Sequence, residues 1–280
     1  MHILKNRVLN RTDKKPIVID TFYSEEKINQ PIVIFCHGYK GYKNWGAWDI
    51  MAHRIAKAGF CFVKFNFSHN GGTIENPIDF PDLEAFGHNN YTKELDDLND
   101  VINWVETSFS NNKSVNTQHI CLIGHSRGGG ISIIKTAEDK RIKTLITLAS
   151  ISDFEARFGS KTEIISWKKE GVKFVANRRT QQQMPHYYSF YEDFMANKKR
   201  LHIANSIKKV NVPHLIIHGE NDTTVSINEA KKLHQWNPNA AFQIIKNADH
   251  VFNTKQPWTC NGLPPELASV CSSITAFLSK

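Results

Sequence analysis

The stretch His119-Ile120-Cys121-Leu122-Ile123-Gly124-His125-Ser126-Arg127-Gly128-Gly129-Gly130-Ile131 decides how the chain reads. It begins as an apolar run, His119 to Ile123, of the kind a strand shows when both of its faces are buried. It then turns through Gly124–Gly130, and Ile131 to Ala137 reads as a helix. Gly124, Ser126 and Gly128 fit G-x-S-x-G, a pattern with mechanical meaning between a strand and a helix. A serine at the apex of so sharp a turn must hold strained backbone angles, and the glycines let neighbouring chains approach closely. A plain glycine-rich turn would fit the bare pattern too. The strand before and the helix after make Ser126 a candidate nucleophile.

Outward from that turn the chain alternates strand and helix. Upstream, Ile17 to Tyr23 reads as an antiparallel edge strand paired near Ile3–Leu9. Ile32 to Cys36 is a buried strand ending in His37-Gly38-Tyr39-Lys40-Gly41. Trp48 to Ala58 is a helix stopped by Gly59, Phe60 to Phe67 is a strand, and Ser68 to Asn90 is a loop. Thr92 to Phe109 is a helix with Thr92 as its N-cap. Downstream come the strands Lys143–Ala149, Leu215–His218 and Ala241–Ile245 and a closing helix Pro265–Leu278. This rhythm predicts an α/β domain, a mostly parallel sheet with helices on both faces. Residues 152–209 break the rhythm and are too long for a loop. They read as a small, mostly helical cap inserted into a single domain spanning 1–280.

Composition narrows the function classes. The chain has 280 residues, 40% hydrophobic and 22% charged, enough for a large core and against bulk disorder. Its net charge of +8 comes from scattered Lys and Arg, with no basic arm or stripe, so nucleic acid is not an expected partner. Five cysteines without close spacing argue against a disulfide framework or a zinc site. No run reaches membrane-spanning length, and the first residues lack the apolar core of a secretory signal. A cytoplasmic monomer or homodimer acting on a small molecule is the expectation, with no metal or organic cofactor.

A serine hydroxyl needs a base, and the base needs an orienting carboxylate, in the chain order serine, acid, histidine. Asp222, in His218-Gly219-Glu220-Asn221-Asp222, lies just past the strand Leu215–His218, at the sheet edge where such sites gather. Glu220 and Asp153 are rival acids. His250, in Asp249-His250-Val251-Phe252, follows the strand Ala241–Ile245 and is the expected base. His214 and His234 read as structural. His37 and His125 border the site as packing or hydrogen-bonding residues. An oxyanion needs two backbone N–H donors. Arg127, next after the nucleophile, supplies one, and Tyr39 the other, with Gly38 permitting the turn. Trp167, Tyr187, Tyr188, Phe190 and Tyr191 read first as packing for the cap and second as a substrate pocket. Arg178 and Arg179 read as solvated, and Asn66–Gly71 as a pocket rim.

The segments His37–Gly41, Gly124–Gly129, His218–Asp222 and Asp249-His250 together resemble an α/β-hydrolase of the dienelactone-hydrolase and esterase-lipase type. The set is similar to bacterial esterases, including cinnamoyl and feruloyl esterases. The resemblance covers nearly the whole chain except the cap. It implies an eight-stranded, mostly parallel sheet and hydrolysis of a carboxylic ester or thioester through an acyl-enzyme. Dienelactone hydrolases proper use cysteine where this chain has Ser126, which points to an ordinary esterase. Two other readings stand beside it. One is a prolyl-oligopeptidase-like peptidase or amidase, a family that usually adds a propeller too large for 280 residues. The other is a non-catalytic binding protein on the same fold.

Overall fold

Two strands, β1 (His2–Arg11) and β2 (Lys14–Tyr23), open the chain as an antiparallel hairpin in the computed structural model, which describes residues 1–280. There follow β3 (Gln30–Cys36), α1 (Trp48–Ala58), β4 (Cys61–Phe65), the short α2 (Leu83–Gly87), α3 (Tyr91–Phe109), β5 (Val115–His125), α4 (Arg127–Glu138) and β6 (Ile142–Leu148). Then come α5 (Lys161–Glu170), β7 (Val172–Asn177), β8 (Gln182–Tyr187), α6 (Ser189–Ala196) and α7 (Ile203–Ile207), before β9 (His214–Gly219), α8 (Ile227–Trp236), β10 (Ala241–Ile245) and α9 (Pro265–Leu278).

Eight strands form one sheet in the order β1-β2-β4-β3-β5-β6-β9-β10. From β4 to β10 every pairing is parallel, and β2 alone runs against the rest. Successive side chains of β3 alternate between two cores: Ile32, Ile34 and Cys36 face the α3–α4 layer, while Val33 and Phe35 face α1 and α9. Burial on both faces explains the unbroken apolar runs of the central strands. The α/β architecture expected from the alternation, with the eight strands that the resemblance implied, is therefore the one adopted.

Several local expectations are corrected. The N-cap of α3 is Asn90, whose side chain accepts from Lys93 N–H at 2.8 Å, not Thr92. Residues 68–90 contain α2, capped by Asp82, whose carboxylate accepts from Ala85 N–H at 2.9 Å. Helix α4 starts at Arg127, so Gly128, Gly129 and Gly130 lie inside it rather than in a preceding turn. The segment between β6 and β9 is mostly helical, as expected, but it also holds β7 and β8, which pair as an antiparallel hairpin apart from the main sheet.

Candidate active site

Strand β5 is central, and its C-terminal end carries the turn into α4. Ser126 caps that helix with φ 55° and ψ −119°, a left-handed backbone that a non-glycine residue holds only when its surroundings force it. The forcing contacts are visible. A Cβ on Gly124 would lie 2.3 Å from the Gly128 carbonyl oxygen, and one on Gly128 would lie 2.3 Å from that of Cys36. Ser126 N–H is held by the Leu148 carbonyl at 2.9 Å. The hydroxyl has no hydrogen-bond partner on the protein and opens onto two cavities.

The loop after β3 presses against this elbow. Gly38 was expected to permit an unusual backbone turn, but the positive φ falls on Lys40, at 52°. Gly38 is needed for space instead, because a Cβ there would sit 2.9 Å from Ser126 Cβ. His37 locks the loop. Its Nε2 accepts from Phe67 N–H at 3.2 Å, which leaves the proton on Nδ1 to donate to the Gly38 carbonyl at 2.9 Å. Burial pushes the imidazole down to about 4, so it stays neutral. The Tyr39 and Arg127 amides have no intramolecular acceptor, Arg127 being the first residue of its helix. Residues 66–71 do not form the rim expected of them. Asn66 accepts from Lys43 N–H at 2.7 Å and Asn70 donates to the Gly41 carbonyl at 3.2 Å, bracing the loop from behind.

Asp222 and His250 meet after β9 and β10. His250 Nδ1 donates to Asp222 Oδ2 at 2.8 Å. The other carboxylate oxygen accepts from Thr224 N–H and Val225 N–H at 2.9 and 2.8 Å. Burial alone would raise this carboxyl. Hydrogen bonds from His218 and His250, with the His250 charge and Val225 N–H, outweigh it and hold the acid well below the usual carboxylate range. His218, not anticipated as part of the site, is fully buried with Nε2 3.2 Å from Asp222 Oδ2. His125 Nε2 lies 2.8 Å from the His250 carbonyl and steadies the loop. The rival acids are engaged elsewhere, Glu220 with Asn247 N–H and Asp153 with Glu155 N–H. Ser126 and His250 line one cavity without a direct hydrogen bond.

That cavity, about 250 Å³, is also lined by Trp45, Trp48, Lys40 and Arg179. The other, about 300 Å³, lies between Ser126, Arg127 and the inserted segment. Phe190 lines it, while Trp167 packs behind, donating to the His186 carbonyl at 2.7 Å. Tyr188 and Tyr191 pack beside Trp167, and Tyr187 donates to Glu84 at 2.6 Å. Arg179 is solvent-exposed, as expected, and pairs there with Asp79. No three His, Cys, Asp or Glu side chains gather as a metal site would require.

Residues 84–258 match the sequence model of the prolyl oligopeptidase family, a span holding Ser126, Asp222 and His250. The chain belongs to the prolyl oligopeptidase family. Two Escherichia coli relatives, each described as an uncharacterized 31.7 kDa protein in the traX-finO intergenic region, are 29% identical over 129 residues. The match covers 46% of this family member and 40% of each relative's length. Among solved structures, Est1E from Butyrivibrio proteoclasticus superposes with TM-score 0.72 at 15% identity, covering 99% of this chain and 98% of Est1E. Est1E with ferulic acid bound gives 0.73 at 16%, covering 98% of both chains. Dienelactone hydrolase from Anabaena variabilis gives 0.64 at 13%, covering 99% and 97%. At such identities the likeness is one of fold, and that fold is the α/β-hydrolase fold that the motifs implied. No helix is long and apolar enough to cross a membrane.

Proposed function

We propose that the chain is a serine hydrolase cleaving a carboxylic ester or thioester of a small molecule through an acyl-enzyme. The observation that carries this reading is the 2.8 Å bond from His250 to a strongly acidic Asp222, beside a serine held at φ 55° in the same cavity wall. His250 takes the proton from Ser126 as Oγ attacks the carbonyl carbon. The C–O or C–S bond breaks, and the leaving group departs with the proton from His250. Water then attacks the acyl-enzyme, with His250 again as base. Asp222 holds the proton on Nδ1, leaving Nε2 to serve Ser126, and stabilises the imidazolium. The Tyr39 and Arg127 amides hold the oxyanion, each contributing about 3 kcal/mol to the barrier reduction. The Ser126 hydroxyl carries no competing hydrogen bond, and the bond to His250 forms as substrate fills the cavity. Residues 152–209 serve as a cap over the acyl side, supported by Phe158, Val175 and Phe190 in that cavity wall. Five unpaired cysteines suit a cytoplasmic setting.

The test is Ser126→Ala. It should melt as the parent does, lose nearly all turnover of p-nitrophenyl acetate and no longer react with a fluorophosphonate probe. Retained turnover would sink the assignment. Membership of the prolyl oligopeptidase family favours one second reading, a peptidase or amidase using the same residues. Faster cleavage of peptide p-nitroanilides than of matched p-nitrophenyl esters would select it. An unlabelled wild-type chain would instead indicate a binding protein.

A further inference from the structure

The two cavities beside Ser126 have distinct roles if His250 is the acid that protonates the leaving group. The leaving group must then lie in the cavity that His250 lines. The acyl group takes the other, about 300 Å³, which His250 does not line. That step rests on the serine-hydrolase reading; the charge pattern of the acyl cavity stands independently of it.

Much of its wall is apolar, from Ile151, Phe158, Val175, Phe190 and Val225. Arg127, Arg157 and Lys173 also line it, and no carboxylate does. Arg127 is compensated by Glu94 at 3.3 Å, and Arg157 by Glu229. Lys173 has no such partner. Its ammonium donates to the Phe158 carbonyl at 3.3 Å and sits 3.9 Å from the Trp167 ring centroid, with no carboxylate in salt-bridge range. Burial pulls its pKa down, with Glu163 only partly opposing. Across the β7–β8 hairpin it is in register with His186. His186 Nε2 lies 2.8 Å from the Tyr39 hydroxyl, and the ring is kept neutral by burial and by the charges of Arg127, Lys173 and Lys40, so it offers no counter-charge. A half-buried ammonium over one indole ring, bonded only to a carbonyl and without an anion, is an incomplete pair.

The geometry points to a substrate whose acyl chain ends in a carboxylate, bound by Lys173 on the cap side of the acyl cavity. One uncompensated ammonium on an apolar wall suits a monoanion on a short hydrocarbon chain. A phosphate dianion would call for a guanidinium fork, and both arginines are already paired. Hemiesters or hemithioesters of short dicarboxylic acids are the substrate class that fits.

The full chain should be tested with mono-4-nitrophenyl glutarate against 4-nitrophenyl valerate, of equal chain length but uncharged. A charge-assisted hydrogen bond predicts a glutarate-to-valerate ratio of kcat/KM of about tenfold or more, falling towards one in Lys173→Gln. Taking the ratio within each variant cancels any general loss of activity. A ratio near one in the wild type, or one that Lys173→Gln leaves intact, overturns the inference. A calorimetric arm is independent of turnover. Ser126→Ala should bind monomethyl glutarate more tightly than methyl valerate, and adding Lys173→Gln should abolish the difference. Equal binding of the two esters overturns the inference. Failure of the hydrolase reading looks different: neither ester is turned over, or Ser126→Ala still turns them over, while the calorimetric preference persists.

Discussion

The two sides of Ser126 are held by different kinds of contact. On the sheet side, backbone meets backbone: Gly124 on Gly128, and Gly128 on Cys36, leave no room for a single Cβ. On the cap side, Phe158, Trp167, Phe190, Tyr191 and Phe194 meet ring against ring. Backbone contacts cannot be exchanged for one another, so the position of the hydroxyl is rigid. Aromatic contacts can be repacked at moderate cost, so the cap wall can change with the substrate while the elbow stays the same. Under the proposed function, the chemistry belongs to the sheet edge and the selectivity to the insertion.

The largest effect that could break this division is Asp222→Asn. The asparagine oxygen can still accept from Thr224 and Val225, but its amide presents a donor to a donor at His250 Nδ1. The imidazole then holds the wrong tautomer, and kcat should fall by about 10⁴-fold. The urea midpoint should move little by comparison. A fall of less than tenfold would mean that the sheet edge does not carry the chemistry.

Next in size is Gly128→Ala. The added methyl meets the Cys36 and His37 carbonyl oxygens at 2.3 and 2.5 Å, and neither strand nor helix can yield easily. The expected loss is about 3 kcal/mol or more in urea unfolding, together with the turnover of p-nitrophenyl acetate that the proposed function expects. A variant with parent-like stability would show that the elbow has slack.

The buried His37 sharpens the comparison through pH. Its folded pKa is depressed, from 6.5 to about 4. Between those values the unfolded chain binds a proton that the folded chain refuses. The stability due to the neutral ring is therefore fully present above pH 6.5 and is lost as pH falls towards 4. His37→Asn removes this titration and should make the urea unfolding free energy fall less steeply with acid, by up to about 1.4 kcal/mol per pH unit. An unchanged slope would mean that His37 does not couple the loop after β3 to acid stability.

How much of this was legible depends on the kind of contact. The elbow could be read from the chain because backbone packing demands glycine and two-sided burial demands an unbroken apolar strand. The order of Ser126, Asp222 and His250 could be read because each follows a recognisable strand. Other features leave weak traces. Strand β8 carries Gln182, Gln183 and Pro185 and pairs only with β7, so it lacks a buried strand's pattern. Helix α2 is five residues long inside a stretch rich in Asn, Gly and Pro. The role of Gly38 was misassigned because sequence reveals a glycine without distinguishing backbone angle from crowding. His218 could have been suspected, since it shares with Asp222 the i,i+4 spacing across the turn after β9. The isolation of Lys173 is a statement about what lies around it in space, and no local pattern encodes that.

The smallest predicted effect tests the comparison with the same added atom in the other region. Gly171 ends α5 at φ 74°, its N–H bonded to the Trp167 carbonyl at 2.9 Å and its carbonyl accepting from Tyr188 N–H at 2.8 Å. A Cβ there meets nothing within 4 Å. Alanine keeps both hydrogen bonds and suffers only the left-handed backbone, a cost of about 1 kcal/mol. Gly171→Ala should therefore lower the urea midpoint slightly and leave Ser126 reactive towards a fluorophosphonate. If it destabilised the chain as much as Gly128→Ala, whose helical backbone carries no such strain, crowding at the elbow would cost no more than a left-handed angle in the insertion. The crowding at the elbow would then not be what distinguishes the two sides of the nucleophile.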